Sequence, residues 1–297
     1  TGGVIHSPPA VSNGVVFIGS WDHKTYALNA TTGAHIWNYT TENMVLSSPA
    51  VSDDMIYISS FDGKVYAFET YVPPPDNWPM FRHDTNHTGY STNQINASRL
   101  VLRWNYSTGG CIYSSPAVVG DTIFFGNRGG KTYALNASTG SHIWNYTTGI
   151  IIDSSPAVSN GVVFIGSSDD KIYALNVSTG QEIWNYTTGG DVYSSPAVSN
   201  GMVFVGSHDN KIYALNVTNG MHIWNYTVGN SIISSPAVVN GTVYVGSQDN
   251  RVYALDASNG THIWNYNMRD AIVSSPAVAD GMVFVGSLNN RVYALYA

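Results

Sequence analysis

The stretch ALNVSTGQEIW spans residues 174–184, and its wording returns at a fixed interval. Residues 214–224 read ALNVTNGMHIW and residues 254–264 read ALDASNGTHIW. Each copy reads as the end of one strand, a turn, and the start of the next strand. The same register is marked along the whole chain by Pro9, Pro49, Pro116, Pro156, Pro196, Pro236 and Pro276. The intervals are 40 residues except the second, which is 67, so seven copies carry one insertion of 27 residues. Forty residues is the length of a propeller blade, a unit that cannot bury both faces alone and must stack on its neighbours.

The fourth copy shows how one unit is written. SSPAV is strand A and ends at Asn160-Gly161; VVFIGS is strand B and ends at Asp169-Asp170. KIYALN is strand C and ends in Ser178-Thr179-Gly180; EIWNYT is strand D, followed by Gly189-Gly190. Asn-Gly and Asx pairs suit tight hairpins because they tolerate positive φ. No stretch of helical length has a 3.6-residue period. The expected fold class is therefore all-β: one seven-bladed β-propeller of four-stranded antiparallel blades over residues 1–297. The small side chains of SSPA suit strand A to the crowded innermost position. Strand D is then outermost, its tryptophan reaching between blades and donating its N–H to a carbonyl of the adjacent repeat.

The phrase A-x-[N/D]-x-x-[T/N]-G-x-x-x-W occurs at 27–37, 134–144, 174–184, 214–224 and 254–264. It resembles the tryptophan-docking motif of quinoprotein propellers and of the wider PQQ-like repeat family, which includes outer-membrane assembly factor B-like proteins. The resemblance covers nearly the whole chain. It implies packing roles for Trp37, Trp104, Trp144, Trp184, Trp224 and Trp264, and it bears on fold more than on activity.

The insertion, residues 73–98, opens with Pro73, Pro74 and Pro75, which read as a stiff linker. Its NWPMFRHDTNHTGYS resembles the N-terminal opening of many proteins of that family, so the chain reads as permuted relative to them or cut from a longer array. At the chain's start, Thr1-Gly2-Gly3 matches the tail of a strand D, while the seventh copy reads only as far as RVYALYA. The last blade is expected to lack its outer strand and to expose an edge, which invites strand addition. Two readings stay open: another chain or flanking sequence supplies the strand, or the blade has three strands and a ragged edge.

Composition narrows the function. Only 10% of the 297 residues are charged, against roughly 25% in an ordinary domain. The net charge of −7 comes without basic clusters, which argues against nucleic acid as a partner. No apolar run approaches the ~18 residues of a membrane span. The first residues carry no signal-peptide pattern, and the lone Cys111 has no pairing or metal spacing.

The catalytic reading fails on its parts. The resemblance implies that a quinoprotein dehydrogenase would need bound calcium, a catalytic carboxylate and commonly a vicinal cysteine pair. Asp169, Asp209 and Asp249 occupy equivalent hairpins of different blades and read as turn residues. His35, His142, His222 and His262 each stand two residues before a strand-D tryptophan, too far apart to share an ion. His83 and His87 lie in a segment with no helical signature. No catalytic residue, cofactor site or metal site is assigned.

Copies differ in two registers. Just before SSPA stand His6, Tyr113, Asp153 and Tyr193; just after strand B stand Trp21, Phe61, Arg128 and His208. They read as two separate rings that can contact a partner. Thirteen Asn-x-Ser/Thr sequons are present. Asn29, Asn136, Asn176 and Asn216 fit a turn position, so a side-chain turn bond explains them without sugar. The remaining candidates for glycosylation are Asn38, Asn86, Asn96, Asn105, Asn145, Asn185, Asn225, Asn240 and Asn259. The asparagines that follow each Trp have no evident structural role. The expected function is a non-enzymatic extracellular or cell-surface scaffold whose partners are other protein chains, including copies of itself joined at blade seven. The alternatives are a protein-binding module similar to the assembly factor and a PQQ-dependent oxidoreductase.

Overall fold

The turn-rich sequence permits only short strands, and the computed structural model contains 28 of them with no helix among the described residues. It describes residues 1–52, 55–69, 78–91 and 100–297, in two compact units. The first comprises Thr1–Asp84 and Gly89–Pro156; the second comprises Thr85–Thr88 and Ala157–Ala297.

In the first unit, one sheet holds β1 (Ala10–Ser12), β2 (Val15–Gly19), β3 (Lys24–Asn29) and β4 (His35–Thr40). The next holds β5 (Ala50–Ser52), β6 (Met55–Ser59) and β7 (Lys64–Glu69). After β8 (Tyr90–Ser91), which runs parallel to β1, strand β9 (Val101–Ser107) returns to pair with β7. The third sheet holds β10 (Ala117–Val119), β11 (Thr122–Gly126), β12 (Lys131–Asn136) and β13 (His142–Thr147).

The second unit opens with β14 (Ala157–Ser159), β15 (Val162–Ser167), β16 (Lys171–Asn176) and β17 (Glu182–Thr187). Its next sheet holds β18 (Ala197–Ser199), β19 (Met202–Gly206), β20 (Lys211–Asn216) and β21 (His222–Thr227). Then come β22 (Ala237–Val239), β23 (Thr242–Gly246), β24 (Arg251–Asp256) and β25 (His262–Asn267). The last sheet has three strands, β26 (Ala277–Ala279), β27 (Met282–Ser287) and β28 (Arg291–Tyr296). Within each repeat, strand order follows chain order and all pairs are antiparallel. The sheets are the seven blades of a β-propeller, the last with three strands, as the 40-residue period implies.

Local chemistry explains the strand ends. At the first hairpin Asn160 and Gly161 have φ of 49° and 77°, and the pairs Asn200–Gly201, Asn240–Gly241 and Asp280–Gly281 are left-handed in the same way. Two successive left-handed residues make the turn whose twist matches that of the strands. At the second hairpin the Asp side chain does the work. Asp249 Oδ1 accepts the Arg251 N–H at 3.0 Å, and Oδ2 accepts the Tyr253 hydroxyl at 2.6 Å and the Gly229 N–H at 2.7 Å. Asp62 repeats the pattern with Lys64, Tyr66 and Glu42. One carboxylate thus closes its own turn and fastens the preceding repeat.

The two serines of SSPA have separate tasks that side-chain size alone does not reveal. The first accepts a strand-B N–H inside its own repeat: Ser194 Oγ from Gly206 and Ser234 Oγ from Gly246, both at 3.1 Å. The second links repeats: the Ser195 N–H donates to Ser235 Oγ, and the Ser235 N–H donates to Ser275 Oγ, both at 3.0 Å. In the first unit Ser48, Ser115 and Ser155 form the same chain. The innermost strands, too close to leave room for water, satisfy their backbone donors with hydroxyls.

Prolines 73–75 lie outside the described residues. The described part of the insertion, residues 78–91, is bonded to innermost strands. In the first unit the Trp78 and Val118 backbones exchange bonds at 2.7 and 2.6 Å, and the Val11 N–H donates to the Gly89 carbonyl at 2.6 Å. In the second unit the carbonyls of Thr85 and Asn86 accept the N–H groups of Val238 and Val278.

Candidate partner-binding site

Tryptophan docking sets the outer layer. Trp104 Nε1 donates to the Ala137 carbonyl at 2.8 Å, Trp184 to Val217 at 3.0 Å and Trp224 to Ala257 at 2.9 Å. Each acceptor lies 33 residues on, in the next repeat. The indole face lies on a glycine: a Cβ at Gly140, Gly220 or Gly260 would meet the ring at 2.6 Å. Trp144 is buried, whereas Trp37 and Trp264 are half-buried against Phe68 and Tyr244 respectively.

The two variable registers lie close together. In six repeats a backbone bond joins the second register to the residue that stands two before the first. The N–H of Trp21 donates to the Val4 carbonyl, Phe61 to Met44, Arg128 to Cys111, His208 to Asp191, Gln248 to Ser231 and Leu288 to Ala271. The second hairpin therefore lies beside the loop that enters strand A, and the two registers form one rim.

In the first unit this rim gathers four of the chosen residues around Arg128. Its guanidinium makes a bidentate pair with Asp153, Nε to Oδ1 and Nη2 to Oδ2, both at 2.7 Å. The Phe61 and Tyr113 rings lie 5.4 and 5.2 Å from its central carbon. The Tyr113 hydroxyl reaches His6 Nδ1 at 3.5 Å. The bond from Asp153 keeps Arg128 charged, and burial pushes the Tyr113 hydroxyl above its ordinary range. Trp21 stands exposed on the same rim, bonded through its backbone to the exposed Val4. In the second unit Tyr193 and His208 meet edge to face at 4.8 Å. Aromatic rings around an arginine whose fork is already paired offer stacking surface, the composition that dominates protein interfaces.

The second candidate is the edge at β28, and the sequence showed only that a strand was missing there. Phe284 is 41% exposed, where Phe204 is 0%; Val292 is 78% exposed, where Val252 is 0%. Tyr296 and Leu288 are exposed too. Tyr296 stands where Asn29, Asn136, Asn176, Asn216 and Asp256 close the third turn of their repeats.

Among the described residues no three His, Cys, Asp or Glu side chains come together as a metal site. The strand-D histidines have structural partners: His222 stacks on Tyr186 and His262 on Tyr226, one repeat back. Among the described residues no helix is long and apolar enough to cross a membrane.

Two family models match this chain. Residues 108–297 match the one described as the β-propeller of beta-alanine-activating enzyme, and residues 1–150 match the one described as outer membrane protein assembly factor BamB. The chain belongs to the PQQ-like repeat β-propellers. Solved structures share the propeller fold at low identity. BamB from Moraxella catarrhalis superposes with a TM-score of 0.77 at 19% identity, covering 99% of this chain and 86% of that one. Saccharomyces cerevisiae Sqt1 gives 0.79 at 15% identity, covering 98% and 82%. The computationally designed Ika8 protein gives 0.66 at 14% identity, covering 100% and 97%. No curated protein matches by sequence.

Within this PQQ-like repeat propeller the sequons fall into classes. Asn38, Asn105, Asn145, Asn185, Asn225, Asn240 and Asn259 are exposed, Asn86 is half-buried, and Asn96 lies outside the described residues. The asparagines after the tryptophans do have a structural partner. A bulge opposite Ala214/Leu215 puts His222 and Asn225 on one face of β21, and their side chains meet at 2.8 Å. Asn145 meets His142 at 2.9 Å, and Asn185 donates to Glu182 at 2.6 Å.

Proposed function

We propose that this propeller is a non-enzymatic scaffold at the cell surface that binds protein chains, including copies of itself, by strand addition at β28. One observation carries the reading: Phe284 and, on the edge strand, Val292 are open to solvent in the three-stranded blade, whereas Phe204 and Val252 are buried in four-stranded ones. An edge with free N–H and C=O groups and an apolar face is a template for another strand. Val292→Lys puts charge on that edge without touching a packed residue. In sedimentation equilibrium the wild-type chain is expected to self-associate with concentration, and the variant to associate at least tenfold more weakly with unchanged circular dichroism. A wild-type chain that stays monomeric at every concentration sinks the self-assembly reading.

The Arg128 rim favours a second reading, a protein-binding module like the one the assembly-factor family model describes. It uses a different surface and is compatible with the first. The surface location rests on low charge and on seven exposed sequons. Protein from its native source is expected to exceed its sequence mass of 32.1 kDa by whole sugar units in intact-mass spectrometry; an unmodified mass argues against glycosylation.

A further inference from the structure

The insertion contains a strained turn around an arginine that no docking or blade contact explains. Trp78 is buried and paired with β10, and the His83 ring lies 4.9 Å from its indole. Between them the chain turns sharply. Arg82 and His83 both have positive φ, 55° and 77°. The Asp84 N–H donates to the Arg82 carbonyl at 3.0 Å, two residues back. A three-residue turn with positive φ is rare and strained, and two successive non-glycine residues in that region persist only where surroundings enforce them. The enforcement is visible. The Gly89 N–H also donates to the Arg82 carbonyl at 2.9 Å, and Gly89 is itself left-handed, with no room for a Cβ beside the Pro9 carbonyl.

This turn encloses one edge of a guanidinium. Arg82 Nε is enclosed and has no hydrogen-bond partner among the described residues, while the residue as a whole keeps part of its surface open. The Asp84 charge acts on it, and that carboxylate lies 3.7 Å from His83 Nδ1. Burial pulls the Arg82 guanidinium below its ordinary range. An enclosed donor without an acceptor is destabilising. A guanidinium presents parallel donors matched to the oxygens of a carboxylate or phosphate.

We propose that Arg82 is an oxyanion-binding residue, taking one carboxylate or phosphate group of a small ligand in its guanidinium fork. The site lies beside β1 and is independent of the β28 edge and of the Arg128 rim.

The test measures the melting temperature of the whole chain with millimolar inorganic phosphate or acetate, against sodium chloride at equal ionic strength. Wild type is expected to melt several degrees higher with one of the two anions than with chloride. A larger response to phosphate assigns a phosphoryl ligand, and a larger response to acetate a carboxylate; either supports the site. Arg82→Met is expected to lose the response and, without anion, to melt at or above wild type, because an enclosed donor without an acceptor has gone. Arg82→Lys keeps the charge and loses the fork, so it folds and shows a weaker response. An equal response to chloride, or an anion response that survives in Arg82→Met, overturns the proposal. So does an Arg82→Lys variant that responds as strongly as wild type.

Discussion

Trp224→Ala is expected to lower the unfolding free energy by about 3–5 kcal/mol, the range for truncating a buried large aromatic side chain. Three losses coincide. The indole leaves a cavity in a cluster that includes Phe204, Val245 and Leu255. The Ala257 carbonyl loses the donor at 2.9 Å. The face of Gly260 loses its cover. Trp264→Ala is the internal control: that side chain is half-buried, so its loss is expected to be clearly smaller. Chemical denaturation of both variants checks the ordering, and equal losses would remove the docking argument. Gly260→Ala probes the same contact from below. At φ 73°, with the ring 2.6 Å from a Cβ, alanine is strained and collides. In the Trp224→Ala background only the backbone strain remains, so the two effects are expected to be less than additive.

How far the fold was legible follows from where side chains act. The 40-residue period, the Asn-Gly hairpins and the tryptophan phrase are local signals, and local signals survive in a string. Bonds between repeats are not local. Nothing in SSPA says that one serine caps its own strand while the next reaches another repeat, because the two look alike until strands are placed side by side. The rim was legible as two registers of variable positions. The backbone bond from Trp21 to Val4 that brings hairpin and loop together involves no particular side chain, so it has no sequence signature. The His222–Asn225 pair was hidden by a bulge, which moves residues three apart onto one face and breaks the strand period that sequence reading assumes. Arg82 could have been suspected as a charge in a chain with few, but only its left-handed backbone and unpartnered Nε mark it.

Asp249→Ala carries the second large effect, about 2–3 kcal/mol, because one carboxylate serves three donors. Its removal strands the Tyr253 hydroxyl of a buried residue, the Gly229 N–H of the preceding repeat and the Arg251 N–H that starts β24. Asn in its place is expected to recover part of the loss, since its one acceptor oxygen cannot serve both sides of the turn. The same site gives stability an alkaline limit. Burial first, and then the bond to Asp249, raise the Tyr253 hydroxyl above its ordinary range, and Tyr66 and Tyr213 are raised for the same reasons. A tyrosine whose folded pKa exceeds its unfolded value contributes fully below about pH 10 and loses that contribution as pH climbs toward the folded value. Unfolding free energy is therefore expected to be insensitive to these groups at neutral pH and to fall above about pH 10. The fall is shallower in Asp249→Ala, where the partner that favoured the protonated phenol is gone. A denaturation series across that range, read for wild type and variant, decides it: parallel slopes would mean that burial alone holds these phenols neutral and that the carboxylate serves only the turn.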